Sequence, residues 1–162
     1  MKKKIFIALM ASVSLFALAA CGSGNKQVTA GGSTALQPMV EHASMAYMKQ
    51  NPDEIIMVQG GGSGVGLAQV AAGSFQIGNS DIFAEEKSGI AVDKIIDHKV
   101  AVIGFAPIIN KKLKVSNLTQ QELIDIFTGK ITNWKEVGGQ DLDITVINRA
   151  SGSGTRAVFE KA

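Results

Sequence analysis

The sequence predicts an α/β fold with a mainly parallel sheet, and three observations carry that reading. Apolar segments of strand length alternate along the chain with segments of helical period. Three times a strand candidate runs into a Gly/Ser/Thr turn and then a helix: "GGST" before "ALQ", "GGGSG" before "VGL", and "SGSGT" before "RAV". The longest strand candidate, "KVAVIGFAPIIN" at 99–110, is apolar enough to be buried on both faces, as strands of a parallel sheet are.

Residues 1–20 stand apart from the fold. "MKKK" followed by "IFIALMASVSLFALAA" has the basic start and apolar centre of a secretory signal, although a run of this kind also suits a short transmembrane helix. The residues at its end favour the signal. "LAAC" at 18–21 resembles the lipobox of bacterial lipoproteins, in which cleavage precedes the cysteine and lipid is attached to its sulfur. Cys21 is the one cysteine of the 162 residues, so it has no internal disulfide partner; a chance cysteine after an ordinary signal is the alternative. Three of the 16 basic residues, Lys2 to Lys4, lie in this leader, so the remainder is near neutral against 14 acidic residues. Such a balance gives no electrostatic reason to expect nucleic acid or a polybasic membrane patch. Two acyl chains on Cys21 suffice for stable anchoring outside the cytoplasmic membrane.

After the leader, "GSGNK" at 22–26 is a flexible spacer. "QVTA" at 27–30 is a strand, and "ALQPMVEHASMAYMKQN" at 35–51 a helix with Leu36, Met39, Val40, Ala43 and Tyr47 at helical spacing. Ser33 or Thr34 is its N-cap, Pro38 is tolerated in the first turn, and Asn51 and Pro52 end it. "EIIMVQ" at 54–59 is a second strand and "VGLAQVAAG" at 65–73 a second helix, stopped by Gly73. "QIGNSD" at 76–81 carries a third strand with Asp81 at its end, and a helix is expected around "GIAVDKIID" at 89–97. After the long strand candidate, Thr119 and Glu122 form a capping box for a helix ended by Gly129. "ITNWKEVGG" is a loop, "DITVIN" at 143–148 a strand, and "GTRAVFEKA" the start of a helix. That helix stops after about two turns with nothing beyond it to cover Val158 and Phe159, so the sequence is expected to be part of a longer protein.

The recurring turns point to chemistry. Strand-to-helix turns sit at the carboxyl ends of the strands, where ligands bind in open α/β sheets. Each also presents the unpartnered first N–H groups of a helix and the positive end of its dipole. Converging turns of this kind suit a small tetrahedral oxyanion. Ser33, Thr34, Ser63, Ser153 and Thr155 extend the donor set, and Arg149 offers a charged planar fork. Each hydroxyl also reads singly as an N-cap or turn residue, Arg149 as the partner of a neighbouring carboxylate, and Arg156 as a solvated helix residue. Asp81 repels a fully ionised anion but accepts a hydrogen bond from one that still carries a proton. It would thus separate phosphate from sulfate, unless it merely caps the next segment.

Other chemistries find less support. The hydrolase elbow G-x-S-x-G is absent, since "GGSGV" has valine where the last glycine is required. His42 lies within an amphipathic helix and His98 before a strand. No Walker lysine succeeds the glycine turns, and "GGGSGVG" fails the dinucleotide spacing. One cysteine and two scattered histidines make no metal site, the six methionines read as gap filling, and Trp134 alone is no sugar platform.

In order and spacing, "GGSTALQP", "VQGGGSGVGLAQV", "IGNSD", "VIGFAPIIN", "IFTGKITNW" and "RASGSGTR" resemble successive blocks of the PstS-like family. These are the phosphate-binding receptors of bacterial phosphate ABC transporters. The resemblance covers nearly the whole chain after the leader. It implies a periplasmic-binding-protein-like (type II) two-lobed fold with mixed, mainly parallel sheets, here truncated, with the anion held in the cleft between lobes that close by hinge motion. The first lobe would span 27–106, incomplete, and the start of the second 107–162, with crossing near Pro107 to Asn110.

Carried over block by block, the implied ligand residues are Thr34 and the backbone N–H of Ala35, with Ser33 a neighbour, then Ser63 and the acceptor Asp81. The last block adds Arg149, Ser153, Gly154 and Thr155. The family commonly has "RADGSGT" there; Ser151 replaces the acid that partners the arginine, which leaves the placement of Arg149 open. The resemblance implies a non-enzymatic receptor without cofactor or metal. It would be lipid-anchored at Cys21 on the outer face of the cell membrane and deliver phosphate to the permease and ATPase subunits of the transporter. A receptor for sulfate or molybdate is the nearest alternative, and a secreted hydrolase a more distant one.

Overall fold

The computed structural model of the protein describes residues 27–162, so the leader, Cys21 and the spacer lie outside the described residues. The chain forms two compact units, one reaching Ile96 and the other comprising Asp97–Ala162.

The first unit is a three-stranded parallel sheet with two helices. β1 (Gln27–Gly32) leads through the "GST" turn to α1 (Gln37–Gln50), and β2 (Ile55–Gln59) leads through the glycine turn to α2 (Ser63–Ala71), with β3 (Ile77–Asn79) next. The strand order is β2-β1-β3, with Gly31 of β1 level with Gln59 on one side and Gly78 on the other. All three strands therefore end at the same edge of the sheet. Ala30 and Leu67, from the middle of the sheet and the inner face of α2, form the buried apolar centre.

Helix α1 departs from the expected stripe. Met39, Ala43 and Tyr47 are exposed, whereas Leu36, Val40, Ser44 and Met48, spaced by four, face inward. The small Ser44 is the buried residue of the helix, and its hydroxyl donates to the Glu41 carbonyl at 2.8 Å. Asn51 closes the helix by donating from both its backbone and side-chain nitrogens to the Tyr47 carbonyl.

Two sequence expectations fail nearby. Residues 89–97 contain a single 3-10 turn, Val92–Lys94, in place of a helix. Val92 and Ile96 are exposed and no residue of the segment is fully buried, and so short a helix is marginal without a packed face. Residues 99–110 form no strand either. Val100, Val102 and Ile108 are all more than two-thirds exposed. A strand needs a neighbour for its N–H and C=O groups, and no described segment supplies one.

The second unit is built around α3 (Gln120–Phe127), a 3-10 turn at Trp134–Val137, and α4 (Gly154–Lys161). Thr119 and Glu122 form the expected capping box, and Gly129, at φ 77°, lies just past the helix end. Ile126 and Trp134 are buried, and the rings of Phe127 and Phe159 meet at 4.7 Å, tilted by 57°. The strand expected at 143–148 is reduced to an antiparallel bridge between Asn133 and Asp143, extended by the bond from Ile144 N to the Thr132 carbonyl. Ile147 is left almost fully exposed for the same lack of a described neighbour.

Candidate functional site

The carboxyl ends of β1, β2 and β3 bring three turns together in the first unit. Ser33 N donates to the Asn79 carbonyl and Gly62 N to the Gly32 carbonyl, each at 2.8 Å, so the backbones of the turns are tied directly to one another. These bonds depend on unusual backbone at two glycines. Gly32 has φ 135° and Gly62 φ 90°, regions that a side chain disfavours.

The side chains complete the knot. Ser33 Oγ donates to Asp81 Oδ1 at 2.5 Å and accepts from Leu36 N at 3.2 Å. Asp81 N donates to Ser63 Oγ at 3.0 Å. Ser33 and Ser63 are almost completely buried, at 1% and 0% exposure, while Asp81 is half-buried. The backbone of Asp81 is thus tied to Ser63, the first residue of α2. Ser33, Ser63 and Asp81, predicted from three separate blocks of sequence, are in hydrogen-bonded contact. Thr34 and Ala35 lie in the exposed turn next to Ser33.

The expected N-cap role of Ser33 is partly met, since its hydroxyl takes the Leu36 N–H just ahead of α1; Leu36 itself occupies the cap position and makes no side-chain bond there. Sequence reasoning missed Asn79. Its carbonyl receives Ser33 N, and its side chain is buried with Nδ2 unpartnered among the described residues. Its place in "IGNSD", two residues before Asp81, was the available signal.

In the second unit, Ser153 and Gly154 are buried at the N-terminus of α4, and Ser153 Oγ caps the helix by accepting from Arg156 N at 3.3 Å. Thr155 is half-buried and Ser151 exposed. Arg149 N donates to Asn148 Oδ1, and the Arg149 carbonyl receives Arg156 Nη1 at 3.1 Å. Arg156 Nε also pairs with Glu160 one turn on, at 2.7 Å, so its guanidinium bridges its own helix and the Arg149 backbone. An open groove of this unit, about 1060 Å³, has Arg149 and Thr155 on its wall but is otherwise lined mostly by apolar groups such as Ile108, Phe127 and Phe159. Among the described residues no His, Cys, Asp or Glu cluster stands close enough to hold a metal ion, and no helix is long and apolar enough to cross a membrane.

The PBP superfamily domain matches residues 19–162. The chain belongs to the PBP superfamily. This PBP domain is 45% identical to the phosphate-binding protein PstS of Bacillus subtilis, over 99% of this chain and 59% of that protein. It is 32% identical to the phosphate-binding protein PstS of Borreliella burgdorferi, over 96% and 55%. Among solved structures it is similar to one described as a phosphate ABC transporter substrate-binding protein with bound phosphate from Clostridium perfringens. That match has a TM-score of 0.75 and 37% identity over 84% of this chain and 55% of that one. An ABC-type phosphate transport receptor from Vibrio cholerae gives a TM-score of 0.62 and 31% identity, over 83% and 54%. The PBP domain described here therefore spans a little over half the length of these relatives.

Proposed function

We propose that the protein binds inorganic phosphate outside the cytoplasmic membrane and hands it to an ABC permease, as a receptor and not as an enzyme. The observation that carries this reading is the placing of one carboxylate, Asp81, among buried hydroxyls and a helix N-terminus. Donors alone attract any oxyanion, whereas donors with a single fixed acceptor suit an anion that still bears a proton. The names of the relatives support the same ligand.

The proposed ligand residues are Thr34, the N–H of Ala35, Ser63 and Asp81 from the first unit, with Ser33 beside them. The second unit supplies Arg149, Ser153, Gly154 and Thr155. Ser63 is well suited to donate, because its oxygen already accepts from Asp81 N and its proton remains to be given. The lobes read from sequence, 27–106 and 107–162, belong to this proposal, as do lipid attachment at Cys21 and the permease and ATPase subunits as partners. Affinity would come from many preorganised, charge-assisted hydrogen bonds.

Calorimetric titration of the protein expressed from its complete reading frame tests the reading, with phosphate and then sulfate at neutral pH. Tight phosphate binding with sulfate ignored, and that preference relaxed in Asp81→Asn, is the expected result. Equal binding of the two anions, or binding of neither, overturns it.

A further inference from the structure

We propose that Ser33 is a positioning residue that acts through Asp81, and that it is not itself a donor to the bound anion; this rests on the proposed phosphate function. A hydroxyl has one proton to give and two lone pairs. The proton of Ser33 goes to Asp81 Oδ1 at 2.5 Å, and one lone pair takes Leu36 N–H at 3.2 Å. Donating to a ligand would mean abandoning the Asp81 carboxylate oxygen, a bond to a charged group. Ser63 shows the opposite arrangement. It accepts from Asp81 N and keeps its proton for a ligand. The two serines therefore divide the work: Ser63 holds the backbone of Asp81 and Ser33 holds Oδ1. Among the described residues, Oδ2 is left as the acceptor that meets a ligand.

The geometry makes a specific demand on energetic coupling. If Ser33 works only by orienting the carboxylate, its removal matters only while the carboxylate is present. If it bonds the anion directly, the losses from Ser33 and Asp81 accumulate independently.

The experiment is a double-mutant cycle read by phosphate titration of the protein from its complete reading frame, using Ser33→Ala, Asp81→Ala and the pair. Ser33→Ala is expected to weaken phosphate binding about tenfold in the parent, the scale of one hydrogen bond to a charged group. In the Asp81→Ala background it is expected to change binding by no more than about twofold. Ser33→Thr, which keeps the hydroxyl, is expected to bind within about twofold of the parent. Ser33→Cys, a weak donor of similar size, repeats the cycle if the alanine variant does not fold. An equal loss in both backgrounds, or no loss in the parent, overturns the positioning role while leaving phosphate binding intact. A parent that binds no phosphate overturns the function first and this inference with it.

Discussion

Gly66 of α2 rests directly on Gly32 at the end of β1. A Cβ built on Gly66 would lie 2.9 Å from the Gly32 Cα and 2.5 Å from the Asn79 carbonyl oxygen, the same oxygen that receives Ser33 N. The helix touches the sheet backbone to backbone, and this contact brings Ser63 near Asp81. Gly66→Ala is therefore expected to destabilise the protein by about 1–3 kcal/mol through overpacking, although alanine is the better helix former. Gly104→Ala, where an added Cβ meets nothing within 4 Å, is the control and should stay within about 0.5 kcal/mol. Urea midpoints of the two variants check the contrast.

Ser63→Ala removes the acceptor of Asp81 N from a fully buried position. An amide left unpaired in such a place costs about 1–3 kcal/mol. Thermal unfolding should show the loss, and phosphate titration should weaken as well. Retained stability would mean that the turn relaxes to find another acceptor.

Ser153 separates a capping role from a binding role. Ser153→Ala should cost about 1 kcal/mol by uncapping α4. Ser153→Asp keeps a capping oxygen but adds a negative charge, so stability should be preserved while phosphate binding falls. Unfolding and titration measured on the same samples distinguish the two effects.

Acid should weaken the α3 cap. The backbone N–H of Thr119, and then its hydroxyl, donate to Glu122 and hold its carboxyl below the usual glutamate range. With the folded value lower than the unfolded one, the contribution is fully present above the ordinary glutamate range. It is lost as pH falls through the folded value. Asp125, lowered first by its bond from Lys130, adds to the same trend. Urea midpoints of the parent and Glu122→Gln, compared from neutral pH down to about pH 3, should differ most at neutral pH and converge in acid.

Local signals suffice where the chain satisfies itself over short distances. The Thr119–Glu122 box, Gly129 past the end of α3 and the strands β1, β2 and β3 all appear as expected. The segments at 99–110 and 143–148 are apolar and strand-like in sequence, yet among the described residues the first forms no strand and the second only the bridge at Asp143, because strand formation depends on a neighbour and not on composition. The stripe of α1 is also shifted: Ser44 takes the inner position in place of Ala43, and its buried hydroxyl is satisfied by the Glu41 carbonyl within the helix.

The sequence by itself determined the α/β class, the turn chemistry at the strand ends and the residue types able to hold an oxyanion, because these depend on local period and side-chain inventory. Only the tertiary structure decided which groups hold one another. It placed the Ser33 proton on Asp81 Oδ1, the Asp81 amide on Ser63, and a buried Asn79 amide that is unpartnered among the described residues. Ser33 and Asp81 are 48 residues apart. Their meeting depends on β1 lying between β2 and β3 and on the backbone contact of Gly66 with Gly32, and packing of that kind has no local signature along the chain.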